Sequence, residues 1–99
     1  MSDIDVQFEM HAREYELEHR RNDVIRYKRY AYVAHHESDE YHRAHHGKDK
    51  PKDYARRIEY LRGRAREATL VHDAVKQDYS KRLRDYTAWK RMLKAKGVT

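Results

Sequence analysis

YARRIEYLRGRAREATLVHDAVKQDYSKRLRDYTAWKRML, residues 54–93, decides the fold. At alternating spacings of four and three it reads Tyr54, Ile58, Leu61, Ala65, Ala68, His72, Val75, Tyr79, Arg82, Tyr86, Trp89 and Leu93. Only His72 and Arg82 interrupt the apolar run. A repeat of about 3.5 residues sustained this long keeps one stripe of a helix turned toward another helix, as in coiled coils. A weaker stripe precedes it: Val6, Met10, Leu17, Val24, Tyr27, Ala31, Ala34 and Tyr41, with Arg13, Arg20 and Ser38 in the gaps. Between the two stripes stands Gly47-Lys48-Asp49-Lys50, followed by Pro51.

This order predicts an all-α chain of two long antiparallel helices in one domain. Ser2 as N-cap, with Asp3 and Asp5 in an acidic first turn, starts the first helix. It runs from about residue 3 to residue 46 and stops at Gly47. Residues 47–50 form the turn. Pro51 fits the first turn of the second helix, which runs over 51–96 and ends at Gly97. Folding about residue 48 or 49 sets residue 14 opposite residue 83, and residue 35 opposite residue 62. The stripe passes through Gly63, so the second helix is read as continuous. A break there, giving three helices, is the alternative.

Composition narrows the function. The 99 residues are 40% charged, with nine Tyr, one Phe, one Trp, one Pro and no Cys. So few large aliphatic side chains fill a narrow seam between helices, not the closed core of a globular enzyme. Without Cys there is no disulfide and no thiolate metal site. No apolar run reaches the roughly 20 residues of a membrane span, and the acidic start is unlike a signal or transit peptide. These features suit a cytoplasmic setting, in a cell or in an infected host. Several apolar residues lie off both stripes: Ile4, Phe8, Tyr15, Ile25, Tyr32, Val71, Leu83 and Met92. A lone hairpin cannot bury them, which predicts a homo-oligomer, most simply a dimeric four-helix bundle.

The net charge of +6 is unevenly placed. Residues 1–46 hold seven Lys/Arg against ten Asp/Glu, and residues 47–99 hold sixteen against seven. The antiparallel register sets the acidic start (Asp3, Asp5, Glu9, Glu14, Glu16, Glu18) against the basic tail (Lys81, Arg82, Arg84, Lys90, Arg91, Lys94, Lys96). This predicts that much of the tail's charge is neutralised inside the hairpin.

Two constellations could carry a function. The first is an Arg/Tyr band. RYKRYAY offers Arg26, Lys28, Arg29 and Tyr30; Tyr27 falls on the seam. The second helix offers Arg56, Arg57, Tyr60, Arg62, Arg64 and Arg66, with Glu59 and Glu67 as the acids among them. Guanidinium groups hold phosphates in bidentate fashion and exposed Tyr rings stack on unpaired bases. The band therefore points to binding of single-stranded DNA or RNA without strong sequence preference. Against it stands a plainer alternative, in which the Tyr rings fill the seam and the Arg stems lie over it.

The second constellation is HHESDEYHRAHH, residues 35–46. His35, Asp39, His42 and His46 share one helix face, and imidazole with carboxylate suits zinc or nickel. Arg56, Arg57 and Arg62 are expected nearby and would repel a cation, so the reading is a solvated polar face with no metal or other cofactor. These imidazoles could also answer to pH, since free His titrates near about 6.5. His72, on the strong stripe, is read as a buried hydrogen-bonded side chain. No nucleophile, base and orienter assemble around it. With no Gly-rich phosphate loop, acidic pair or HExxH, an enzyme is not indicated.

The ending DYSKRLRDYTAWKRMLKAKGV, residues 78–98, resembles the C-terminal helix of phage recombination mediators, small helical proteins that help load a recombinase onto single-stranded DNA. The upstream basic helix with its Tyr residues and the Gly-containing turn fit the same layout. The likeness covers about half the chain and rests on spacing and residue type. It implies a phage recombination or replication accessory and assigns no individual residue. The reading from a different class is a helical protein-interaction module, an inhibitor, adaptor or assembly component docking on an acidic protein surface.

Overall fold

In the computed structural model, which describes residues 3–47 and 49–98, the chain is all-α: α1 spans Asp3–His45 and α2 spans Tyr54–Ala95, joined as a helical hairpin. No strand occurs among the described residues. No helix among them is long and apolar enough to cross a membrane. The stripes are the seam. Every stripe position of α2, from Tyr54 to Leu93, is buried or half-buried, and so is every one of α1 from Val6 to Tyr41, including Arg13, Arg20 and Ser38. Periodicity selected these residues against an almost uniformly charged background, because only one face of each helix leaves water.

The ends of the helices follow local chemistry, with one correction. The connection covers residues 46–53, so it is longer than the predicted 47–50. Pro51 precedes α2; its carbonyl accepts from the Tyr54 N–H at 3.0 Å in a turn. Asp53 then takes the N-cap, where Asp is favoured, and its carbonyl accepts the first helical bond from Arg57 at 2.9 Å. The α1 end is closed differently from prediction. Gly47 has no positive φ; the His46 Nδ1–H donates instead to the His42 and Arg43 carbonyls, at 2.9 and 3.1 Å. At the far end Gly97, at φ 71°, reverses the chain. The Val98 N–H reaches the Leu93 carbonyl and the Gly97 N–H reaches that of Lys94, both at 3.0 Å, the paired bonds of a Schellman ending. Gly63 lies inside α2 without a break. Ser2 and Lys48 fall outside the described residues; Asp3 and Asp5 make the acidic first turn of α1.

Tyr54 against Tyr41 and His42, and Arg82 against Glu16, keep close to the predicted register, while other pairs depart from it. Glu14 meets Tyr86 rather than residue 83, and His35 meets Thr69 rather than residue 62.

Contacts divide the chain into two units. The turn-proximal unit, residues 25–74, has a small-residue and aliphatic seam: Ala34, Ser38, Ile58, Leu61 and Ala65 are its buried side chains. Tyr41 stacks on Tyr54 beside them, at 5.8 Å and 15°. His72 sits on this seam with its Nδ1 3.4 Å from the Asp73 carboxylate.

The other unit, residues 1–24 with 75–99, buries Val6 and Leu93 but fills much of its seam with rings and charges. The Arg13 guanidinium lies 4.3 Å over the Trp89 ring, a cation–π contact. Tyr86 donates its hydroxyl to Glu14; burial first, then this bond, pushes its pKa up to about 12. Arg82 bonds Asp78 within α2 and pairs across with Glu16. Asp78 above all, then Glu16 and Asp85, raise its pKa.

The predicted neutralisation of the basic tail is largely not realised. Arg82 crosses to an acid of α1, whereas Lys81, Arg84, Arg91, Lys94 and Lys96 carry no ion pair among the described residues. Side chains step by about 100° per residue around a helix, which turns Lys81, Arg84 and Arg91 to the side of α2 opposite its seam.

Candidate nucleic-acid interface

All ten residues of the Arg/Tyr band fall in the unit formed by residues 25–74, but helical geometry distributes them over different faces. Taken around each helix from its buried stripe, Arg26 and Tyr30 on α1 and Arg57, Tyr60 and Arg64 on α2 stand on one flank. Arg56 lies at that flank's outer edge. Lys28, Arg62 and Arg66 stand on the opposite flank, and Arg29 points away from the hairpin. Contacts fix both assignments. Arg64 pairs with Glu37 at 3.5 Å, and Tyr30, Val33 and Ala34 share a shallow groove with Arg64, Glu67 and Ala68. On the other flank His35 bonds Thr69 at 2.8 Å. The sequence reading treated the ten as one patch because it followed their nearness along the chain and not their angle around the helices.

The first flank is the better-built of the two. Tyr30 and Tyr60 are 56% and 57% exposed. Arg64 lies 5.9 Å over the Tyr60 ring. Tyr30 packs edge-on to Tyr27 at 5.8 Å, and Arg26 covers Tyr27 at 5.2 Å. Asp53, Arg56, Arg57 and Tyr60 line a second shallow depression on α2. Acids temper the charge more than the sequence suggested. Glu67 was foreseen, but Glu37, which holds Arg64, was not. Its spacing from Tyr30, two helical turns, was the available signal.

The His-rich end keeps its predicted common face, and its imidazoles are engaged by the protein. The Thr69 hydroxyl donates to the Ala65 carbonyl at 3.0 Å, so the His35 Nε2–H must donate to Thr69. His42 Nδ1 bonds the Tyr54 hydroxyl at 2.7 Å. His46 caps α1 through Nδ1 and stacks on His42 with ring centres 5.1 Å apart. Asp39 is exposed on this same face. Among the described residues no three His, Cys, Asp or Glu side chains gather as a metal site would require.

No protein-family model, curated protein or solved structure matches the chain. The likeness of residues 78–98 to phage recombination mediators thus rests on the residues alone.

Proposed function

We propose that this is a non-enzymatic helical protein that binds single-stranded nucleic acid with little sequence preference, through the flank of Arg26, Tyr30, Arg56, Arg57, Tyr60 and Arg64. One observation carries the reading: two tyrosines more than half exposed stand on the same flank as a row of guanidinium groups. Stacking tolerates every base and guanidinium groups follow the phosphates, so sequence is not read. The likeness to phage mediators agrees with this role.

Fluorescence anisotropy with single-stranded, duplex and structured oligonucleotides over a salt series tests it. Neutralising about four phosphates on a single strand gives a log–log salt slope near −3. Joint replacement of Arg56, Arg57 and Arg64 by Ala flattens that slope. Tyr30→Ala or Tyr60→Ala costs ~1–3 kcal/mol per stacked base and leaves the slope in place. Replacing Arg62 and Arg66, on the other flank, has the smaller effect. Absence of binding at about 50 mM salt overturns the reading.

A second reading, a module docking on an acidic protein surface, draws on the unpaired Lys81, Arg84 and Arg91 on the outer side of α2. Retention on polyglutamate that depends on these three, with no nucleic acid bound, would replace the first reading with this one.

A further inference from the structure

A second heptad stripe runs along α1 on the side away from its buried seam. Ile4, Phe8, Tyr15, Ile25 and Tyr32 are exposed by 79, 74, 74, 41 and 71%. They fall at positions of one alternating four-and-three repeat, whose intervening members are His11, Glu18, Asn22 and Arg29. Five large apolar side chains in one row are not the scattered exposure of an ordinary surface. A helix that is apolar on two opposite faces is built to lie between two neighbours. α2 supplies one of them.

We infer that the other neighbour is α1 of a second copy of this chain, packed antiparallel about a two-fold axis near residue 20. Charge selects both occupant and direction. Residues 3–18 carry Asp3, Asp5, Glu9, Glu14, Glu16 and Glu18 against Arg13. Residues 22–37, which that axis sets opposite them, carry Arg26, Lys28 and Arg29 against Asp23 and Glu37. Antiparallel copies set the acidic segment of each against the basic segment of the other; parallel copies would set like on like. Register agrees. An axis near residue 20 brings Phe8 onto Tyr32 of the second copy and Tyr15 onto its Ile25. It places Glu18 against Asn22 at the centre. The imidazole of His11 faces Arg29. The interface is self-complementary, as a two-fold axis requires. It engages Arg26 of the nucleic-acid flank but leaves Arg57, Tyr60 and Arg64 on α2 open, and its test reads disulfides and mass, not nucleic-acid binding.

The absence of Cys makes the test direct. Two singly substituted chains, Phe8→Cys and Tyr32→Cys, are mixed and oxidised. The antiparallel dimer gives the mixed disulfide several-fold in excess of either symmetric one. Symmetric Phe8→Cys disulfides in excess would mean parallel packing and overturn the inference. As a second measure, light scattering on the unsubstituted protein gives twice the 12.1 kDa chain mass at micromolar concentration. Tyr15→Glu with Ile25→Glu returns it to the single mass with its helical circular dichroism retained. A single-chain mass for the unsubstituted protein, or a dimer indifferent to the double substitution, refutes the α1 interface.

Discussion

Leu61→Ala and Leu70→Ala put the seam to a controlled test, because both leucines lie on α2 and differ in their place in the repeat. Leu61 is on the stripe and 6% exposed; Leu70 is off it and 69% exposed. Truncating a buried Leu removes its transfer free energy and leaves a cavity, together about 2–5 kcal/mol. The seam of a two-helix unit has solvent on both sides, so its neighbours can close part of the gap, and the lower end, ~2–3 kcal/mol, is expected. For a domain of this size each kcal/mol moves the melting temperature by about 4–8 °C, so Leu61→Ala lowers it by about 10–20 °C. Leu70→Ala stays within about 0.5 kcal/mol of the parent, as surface substitutions do. Far-ultraviolet circular dichroism at one fixed protein concentration reads both, since self-association would otherwise shift the midpoint. Equal losses from the two variants, or no loss from Leu61→Ala, would show that burial does not follow the repeat.

Gly63→Ala stabilises by about 0.5–1 kcal/mol, since the position is helical and an added Cβ would find its nearest neighbour, the Arg66 Nη2, 4.0 Å away; an unchanged or lower melting temperature counts against a continuous α2. Alkaline pH reports on Tyr86. Its folded pKa is raised to about 12 from 10.0, so the folded chain holds a proton that the unfolded chain releases. The resulting stability is complete below about pH 10 and is lost as pH climbs through about 12. Melting temperatures over that range fall less steeply for Tyr86→Phe, and identical slopes would sever the link to this hydroxyl.

The seam was legible in the sequence almost residue by residue, because a charged background makes each apolar repeat position conspicuous. Arg13, Arg20 and Arg82, read as interruptions, do lie on it; long stems let their heads reach Trp89, Glu16 and Asp78 at the edge. The turn was misjudged. Pro51 is compatible with a first helical turn, but Asp53 competes for the cap, and nothing in the residue types fixes that contest. Some cross-helix pairs depart from the expected register, Glu14 with Tyr86 and His35 with Thr69, whereas Tyr54 keeps its place against His42. The Arg/Tyr band shows the complementary lesson. Arg62, Arg64 and Arg66 look like one cluster in the chain, yet Arg64 stands on a different flank from the other two. Composition finds such residues, and angle around the helix decides which act together.

The two kinds of seam also differ in what it takes to bring them together from an unfolded chain. His42 and Tyr54 are twelve residues apart, whereas Glu14 and Tyr86 are separated by seventy-two. Loop-closure entropy rises with the logarithm of that separation, so the turn-proximal contacts are the least costly to form first. Once they hold, the effective loop to each later pair shortens to a few residues, and closure proceeds as a zipper running away from residue 50. The aliphatic, low-contact-order segment is thus the expected nucleus, and the ring-and-charge segment the part expected to close last. Replacements around Ile58 and Leu61 then act mainly on the folding rate, and those around Trp89 on the unfolding rate.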